Sequence, residues 1–239
     1  MTSIILSENH PAHFQHQSLD LINSLLCLSS SGFYLVGADM RHRGVVLHNI
    51  DASAERNYEH NYQELDPLKP ALFAATDTRV ACVDEQLPES ELLASEYYRK
   101  FMAPLNHRHV ADMFFRRGRD IIAVLTMLRS AEVGPFSTAE LELLRKLQPF
   151  LEFTLNNTYL PRRYRQRNSM QQQHRLTDRE LDVVELIVAG ASNKAIAREL
   201  QLSLATVKTH LQHIFHKLGV SSRTGVSAIV LGALDHYPG

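Results

Sequence analysis

The chain has 239 residues, 44% of them hydrophobic and 21% charged, with two cysteines and a formal net charge of −1. That length and apolar content suit two packed domains and exclude a disordered or fibrous chain. Cys27 and Cys82 lie far apart, which excludes a disulfide framework or a C-x-x-C site, and no apolar run approaches the roughly 18 residues of a membrane span.

The N-terminus lacks a basic start followed by an apolar signal segment, so a reducing cytoplasm is the expected location. "HFQHQSLDLINSLLCLSS" from residue 13 predicts a helix, and "GFYLVGA" and "RGVVLHNI" predict strands. Helical pieces are expected within 52–75 and over "ESELLASEYYRKF". In "RVACVDEQ" between them, Cys82 reads as a small apolar strand residue rather than a redox-sensing thiol. Two further strands, "HVADMFF" and "DIIAVLTML", flank "RRGRD", whose glycine signals a hairpin turn. A long helix then enters through a capping box, Ser137 to Glu140, and Pro149 is expected to kink it. Residues 1–160 therefore read as an α+β domain, an antiparallel sheet flanked by helices.

Charge separates the parts of the chain. Residues 1–160 carry 14 Lys and Arg against 20 Asp and Glu, residues 161–175 carry five Arg and no acid, and residues 176–239 carry six of each sign. The middle segment, "PRRYRQRNSMQQQHR", reads as a basic linker whose arginines add nonspecific phosphate affinity or simply solvate a tether.

After the linker, Thr177 to Glu180 forms a second capping box, and Leu181, Val184, Ile187 and Val188 make the apolar stripe of a helix ended by Gly190. Ser192 caps a short helix with Ile196 and Leu200 on its inner side. "QLS" connects it to a helix capped by Ser203 and closed by Gly219. On that helix Leu204, Val207, Leu211, Ile214 and Leu218 form the buried stripe. Lys208, Thr209, Gln212, His213 and His216 lie away from it, and no acid falls between Ser203 and Lys217. Two short helices in a tight turn, the second with outward donors, make a helix-turn-helix.

"LTDRELDVVELIVAGASNKAIARELQLSLATVKTHLQHIFHKLGVSSRT" is similar along nearly its whole length to the four-helix DNA-binding domain of the LuxR family, also called the NarL or GerE type. The resemblance implies an all-α four-helix domain over 176–239 that binds double-stranded promoter DNA. It implies base-reading roles for Lys208, Thr209 and Gln212, and phosphate contacts from Asn193, Lys194, Thr206, His210, Arg223 and Thr224. Several family members carry a basic residue where Gln212 stands. The fourth helix, presenting Val226, Ile229, Val230 and Ala233, would contribute a dimer contact, so a homodimer is implied.

"GFYLV", "SEYYRKFMAPLNHRHVADMFFRRGRDIIAVLTMLRS" and "PFSTAELELLRKLQPFLEFTL" resemble the GAF-like or PAS-like input domains found ahead of such helices. A small-molecule effector is the implied signal, and Tyr34, Tyr58, Tyr62, Asp66, Tyr97, Tyr98 and Phe101 are the candidate ligand residues. "YQELDP" also looks like the Y-x-x-x-D-P segment of members that bind acyl-homoserine lactones. Those members carry an upstream tryptophan and tyrosine; this chain has no tryptophan, with Ser53 and Asn57 at that spacing, so another metabolite is favoured. Asp66-Pro67 also suits an N-cap and first helical position.

Other functions find less support. "IILSENHPAHF" resembles the start of a receiver domain, but Glu8, Asn9 and His10 replace its paired acids, which leaves a degenerate receiver, or control by a partner protein, as the alternative. His210, His213 and His216 recur at three-residue steps without a carboxylate or cysteine to complete a metal site. No catalytic motif is recognised, and neither an enzyme, a cofactor nor a membrane partner is expected.

Overall fold

A computed structural model of the chain describes residues 13–37, 40 and 42–232. The chain divides into two compact units, Gln15–Asn156 and a second that takes in residues 157–232.

The first unit is built on a five-stranded antiparallel sheet. Helix α1 (His13–Leu25) precedes β1 (Ser30–Val36) and β2 (His42–His48). Helix α2 (Ala52–Asn57) leads through a π-helical turn (Tyr58–Tyr62) and two 3-10 turns to β3 (Val80–Cys82). Short helices α3 (Val83–Gln86) and α4 (Glu89–Ala94) and a π-helical turn at Tyr98–Met102 come before β4 (His109–Arg117) and β5 (Asp120–Arg129). Helix α5 (Thr138–Thr154) closes the unit. Strand order is β2-β1-β5-β4-β3. Gly118 takes φ +62° in the two-residue turn between β4 and β5, the left-handed conformation that glycine adopts without a Cβ clash.

Strand β4 is buried from His109 to Phe115 because both faces of the sheet are covered, which is why it reads as a nearly continuous apolar run. Phe33 and Phe115 stack with centroids 5.3 Å apart on one face. α1 and α5 attach there through Gln15 Nε2, which donates to Phe33 O, and Gln148 Nε2, which donates to Phe114 O at 2.8 Å. The opposite face carries Tyr34, Val110, Phe114, Val124 and Leu128, packed with Leu68, Phe73, Leu92 and Met102 from the segments between β2 and β4.

Two local expectations change. The helix expected over 89–101 is broken at Ser95, which is extended (ψ 151°); its hydroxyl donates to Leu92 O and accepts from Tyr98 N, closing one helix and capping the next. Asp66 starts no helix: it ends a 3-10 turn, and Oδ1 accepts from Leu68 N at 2.7 Å. Pro149 lies inside α5, which continues through it to Thr154.

In the second unit, 161–174 lies within a helix, α6 (Leu160–His174), reached through a π-helical turn at Leu155–Tyr159. α7 (Asp178–Val188), α8 (Asn193–Glu199), α9 (Leu204–Leu218) and α10 (Arg223–Gly232) follow. Met170 of α6 joins Leu181, Val184, Ile187, Ile196, Val207, Leu211, Ile214, Leu218 and Val226 in one core. Val183 is buried and Val188 only half-buried, while Leu204 remains 43% exposed because it sits in the open first turn of α9. Ala233 and residues 4–12 of the receiver-like stretch lie outside the described residues. Among the described residues no helix is long and apolar enough to cross a membrane.

Candidate DNA-reading face and ligand cavity

Capping and burial together fix the rotation of α9. The Ser203 hydroxyl accepts from Thr206 N, and Gly219 closes the helix at φ +67°. With Val207, Leu211, Ile214 and Leu218 buried, Lys208, Thr209 and Gln212 are exposed on one side. Thr209 Oγ1 donates back to Ala205 O at 3.2 Å. Thr206, Lys194 and Thr224 are exposed, and His210, Asn193 and Arg223 are half-buried. Thr206 Oγ1 lies 2.8 Å from Ser203 Oγ, so this hydroxyl already serves the cap.

Arg223 has an intramolecular task that sequence reasoning missed. Nη1 donates to Asn193 Oδ1 at 2.7 Å and Nη2 donates to Ala191 O, which ties the start of α10 to the start of α8. A guanidinium carries five donors, so these bonds leave capacity for a phosphate. Beneath α9, the buried Glu180 of the α7 capping box accepts from Lys217 Nζ at 2.7 Å and from Thr177 N at 2.8 Å. Those donors hold its carboxyl below the usual range against the opposing effect of burial.

The first unit contains a cavity of about 50 Å³ between the sheet and the segments covering it. Tyr34, Tyr58, Asp66, Tyr97 and Phe101 of the sequence-based ligand set line it together. Tyr62 and Tyr98 do not: Tyr62 stacks behind Phe101 at 5.2 Å, and Tyr98 lies under the Arg108 guanidinium at 5.8 Å. The Phe101 ring also meets Tyr58 at 5.6 Å and Tyr97 at 5.7 Å.

Asp66 is saturated by donors. Its Oδ2 accepts from the Tyr58 hydroxyl at 2.7 Å, its Oδ1 accepts from Leu68 N, and the Tyr97 hydroxyl hydrogen-bonds the same carboxylate. Burial and the nearby carboxylates push Tyr34, Tyr58 and Tyr97 well above the ordinary tyrosine range, so all three hydroxyls remain protonated.

Sequence reasoning overlooked four polar lining residues, Glu55, His107, Asp112 and Thr126. Asp112 opposes Thr126 across the β4–β5 ladder and hydrogen-bonds its side chain. Its Oδ1 meets no donor among the described residues although Asp112 is only 5% exposed. Burial and then the Asp66 charge raise its pKa well above the normal carboxylate range. The available signal was a lone acid at the centre of an apolar strand, "HVADMFF". Cys82 lies outside the cavity lining, and burial raises its thiol to about 11, which keeps it in the weakly reactive protonated form.

Residues 174–230 match the family model described as "Bacterial regulatory proteins, luxR family". The monoamine regulon transcriptional regulator of Klebsiella aerogenes is 35% identical over 210 residues, covering 86% of this chain and 85% of that protein. The transcriptional regulatory protein MctR of Rhizobium johnstonii is 46% identical over 61 residues, 26% of this chain and 27% of MctR. The crystal structure of Escherichia coli SdiA aligns at 17% identity with a TM-score of 0.41, covering 93% of this chain and 91% of that one. The capped helix-turn-helix, its match to the family model and the near full-length relationship to the Klebsiella regulator agree: the chain belongs to the luxR family of bacterial regulatory proteins.

Proposed function

We propose that this transcriptional regulator reads a promoter half-site with Lys208, Thr209 and Gln212 and acts as a homodimer whose first unit responds to a small molecule. The observation that carries the DNA reading is the exposure of these three side chains on a helix whose opposite stripe is buried. Lys208 suits guanine O6 and N7, Gln212 suits adenine N6 and N7, and Lys194, Thr224 and the remaining Arg223 donors suit flanking phosphates. The cavity beneath Tyr34, Asp66 and Tyr97 supports the effector role. That the Klebsiella relative is named for a monoamine regulon supports control of metabolic genes as the output.

The DNA assignment is tested by gel-shift titration of the full chain. Lys208→Ala should weaken specific promoter binding by about 1–3 kcal/mol, roughly 5- to 150-fold, with the melting midpoint unchanged. Unaltered promoter affinity would falsify the assignment. The effector assignment is tested by mass spectrometry of the natively purified protein and of its denatured extract, which should release a small molecule.

A further inference from the structure

We infer that the cavity of the first unit takes a small organic ammonium ion, held by Asp112 Oδ1 and surrounded by the rings of Tyr34, Tyr97 and Phe101. This rests on reading the cavity as the effector site and goes on to name the chemistry of the effector.

The charge of the lining points to it first. Glu55, Asp66 and Asp112 all face the cavity, and among the described residues no Lys or Arg lines it. His107 supplies no counter-charge, because burial lowers its pKa and leaves the imidazole neutral at pH 7. Buried carboxylates are normally balanced by a cation or by several donors. Asp66 has its donors from Tyr58, Tyr97 and Leu68. Asp112 has Thr126 alone, and Oδ1 is left over. A ligand carboxylate would add a third acid beside Asp66 and Asp112, whereas a cation placed there favours release of the Asp112 proton and leaves Oδ1 as its acceptor. An ammonium brings up to three donors and a positive charge to Asp112.

The aromatic walls point the same way. Tyr58 and Tyr97 both pack on Phe101, and Tyr34 completes the lining near Thr126. Ring faces attract desolvated cations, and aromatic walls with a carboxylate at the base recognise ammonium groups. About 50 Å³ is well below the roughly 150 Å³ that holds a benzene ring. The space as it stands fits an ammonium head and a short stem.

The test uses the full-length protein and titration calorimetry with three probes of similar size, n-propylammonium, 1-propanol and propionate. The ammonium ion should bind at least tenfold more tightly than the alcohol, and propionate should show no binding. Asp112→Asn should abolish the preference while melting at or above the wild-type midpoint, which separates lost recognition from lost folding. Equal affinity for the alcohol, a preference that survives Asp112→Asn, or no heat with the ammonium ion at 10 mM would each overturn the inference. A neutral or anionic compound released from the purified protein would retain the cavity as an effector site and reject the cation. Failure of all three probes together with an empty extract would remove the effector reading as well.

Discussion

Asp112 is a carboxyl group whose surroundings oppose its ionisation. Tyr34, Glu55, Asp66, Tyr97, His107 and Thr126 share its cavity, and none of them is a cation at neutral pH. Because its folded-state pKa is raised, the folded protein holds the proton more tightly than the unfolded chain. Stability on this account is greatest below the unfolded value of about 3.9 and falls as pH rises through the folded pKa. Asp112→Asn removes that dependence, so the melting midpoint of the variant should exceed that of the wild type by more at pH 7 than at pH 4. A constant difference across that range would contradict the assigned ionisation. Gly32 acts at the same site from β1. A Cβ there would stand 2.7 Å from the Tyr34 hydroxyl and 3.3 Å from Leu47 Cδ2, so the Tyr34 ring that lines the cavity must shift to admit it. Gly32→Ala should cost about 1–3 kcal/mol by overpacking and should weaken any ligand of the cavity; denaturant unfolding with ligand titration measures both.

Helix α5 shows how an element is held at one end. Its capping box is complete: Ser137 Oγ accepts from Glu140 N, and Glu140 accepts from Ser137 N. The same carboxylate takes a bidentate pair from the buried Arg129, at 2.6 Å and 3.2 Å, while that guanidinium also donates to Cys27 O and Pro135 O and lies over Phe136. Hydrogen bonding from Arg129 lowers the Glu140 pKa from 4.5 to about 2. A lowered carboxylate pKa contributes stability that is present above the unfolded value and is lost as pH falls from about 4.5 toward 2. Glu140→Gln should therefore cost about 3 kcal/mol near neutral pH by stranding the buried Arg129, and should flatten the acid limb of a pH-stability profile. In α9 the Ser203 cap is exposed and simpler, and Ser203→Ala should cost about 1 kcal/mol.

For the molecule as a whole, the segment 161–175 matters more than its composition implied. It is helical as far as His174, and its second half packs on the helices that follow: Arg167 bridges Asp182 at 3.1 Å and Glu185 at 2.8 Å and also donates to Asp178 O, while Met170 enters the core. Arg167 is thereby neutralised by protein carboxylates instead of phosphates. Arg167→Ala should lower the thermal midpoint of the DNA-binding unit while leaving the salt dependence of promoter binding nearly unchanged, since each phosphate contact adds roughly 0.9 to that slope. An effector that alters promoter affinity must have its own affinity altered by promoter DNA by the same factor, which paired titrations can check.

Local chemistry made much of this legible in the chain alone. The capping boxes at Ser137 and Thr177, the caps at Ser192 and Ser203, and the left-handed glycines 118, 190 and 219 depend on a few neighbouring residues. The buried stripe of α9 depends on helical periodicity, and so the exposure of Lys208, Thr209 and Gln212 followed from it. Five cavity residues were found among the aromatic and acidic positions, because such residues are conspicuous in an apolar sequence. The remainder depended on contacts distant along the chain. Asp112 faces Asp66 only because β4 lies beneath the turn after Tyr58, Tyr62 is turned behind Phe101, and Arg223 reaches Asn193 thirty positions away. Sequence determined which elements form and which helix face is polar, since those follow from local hydrogen bonding and period. Tertiary packing alone decided which charges lose their water and which meet a partner, since burial is a property of the folded assembly of elements.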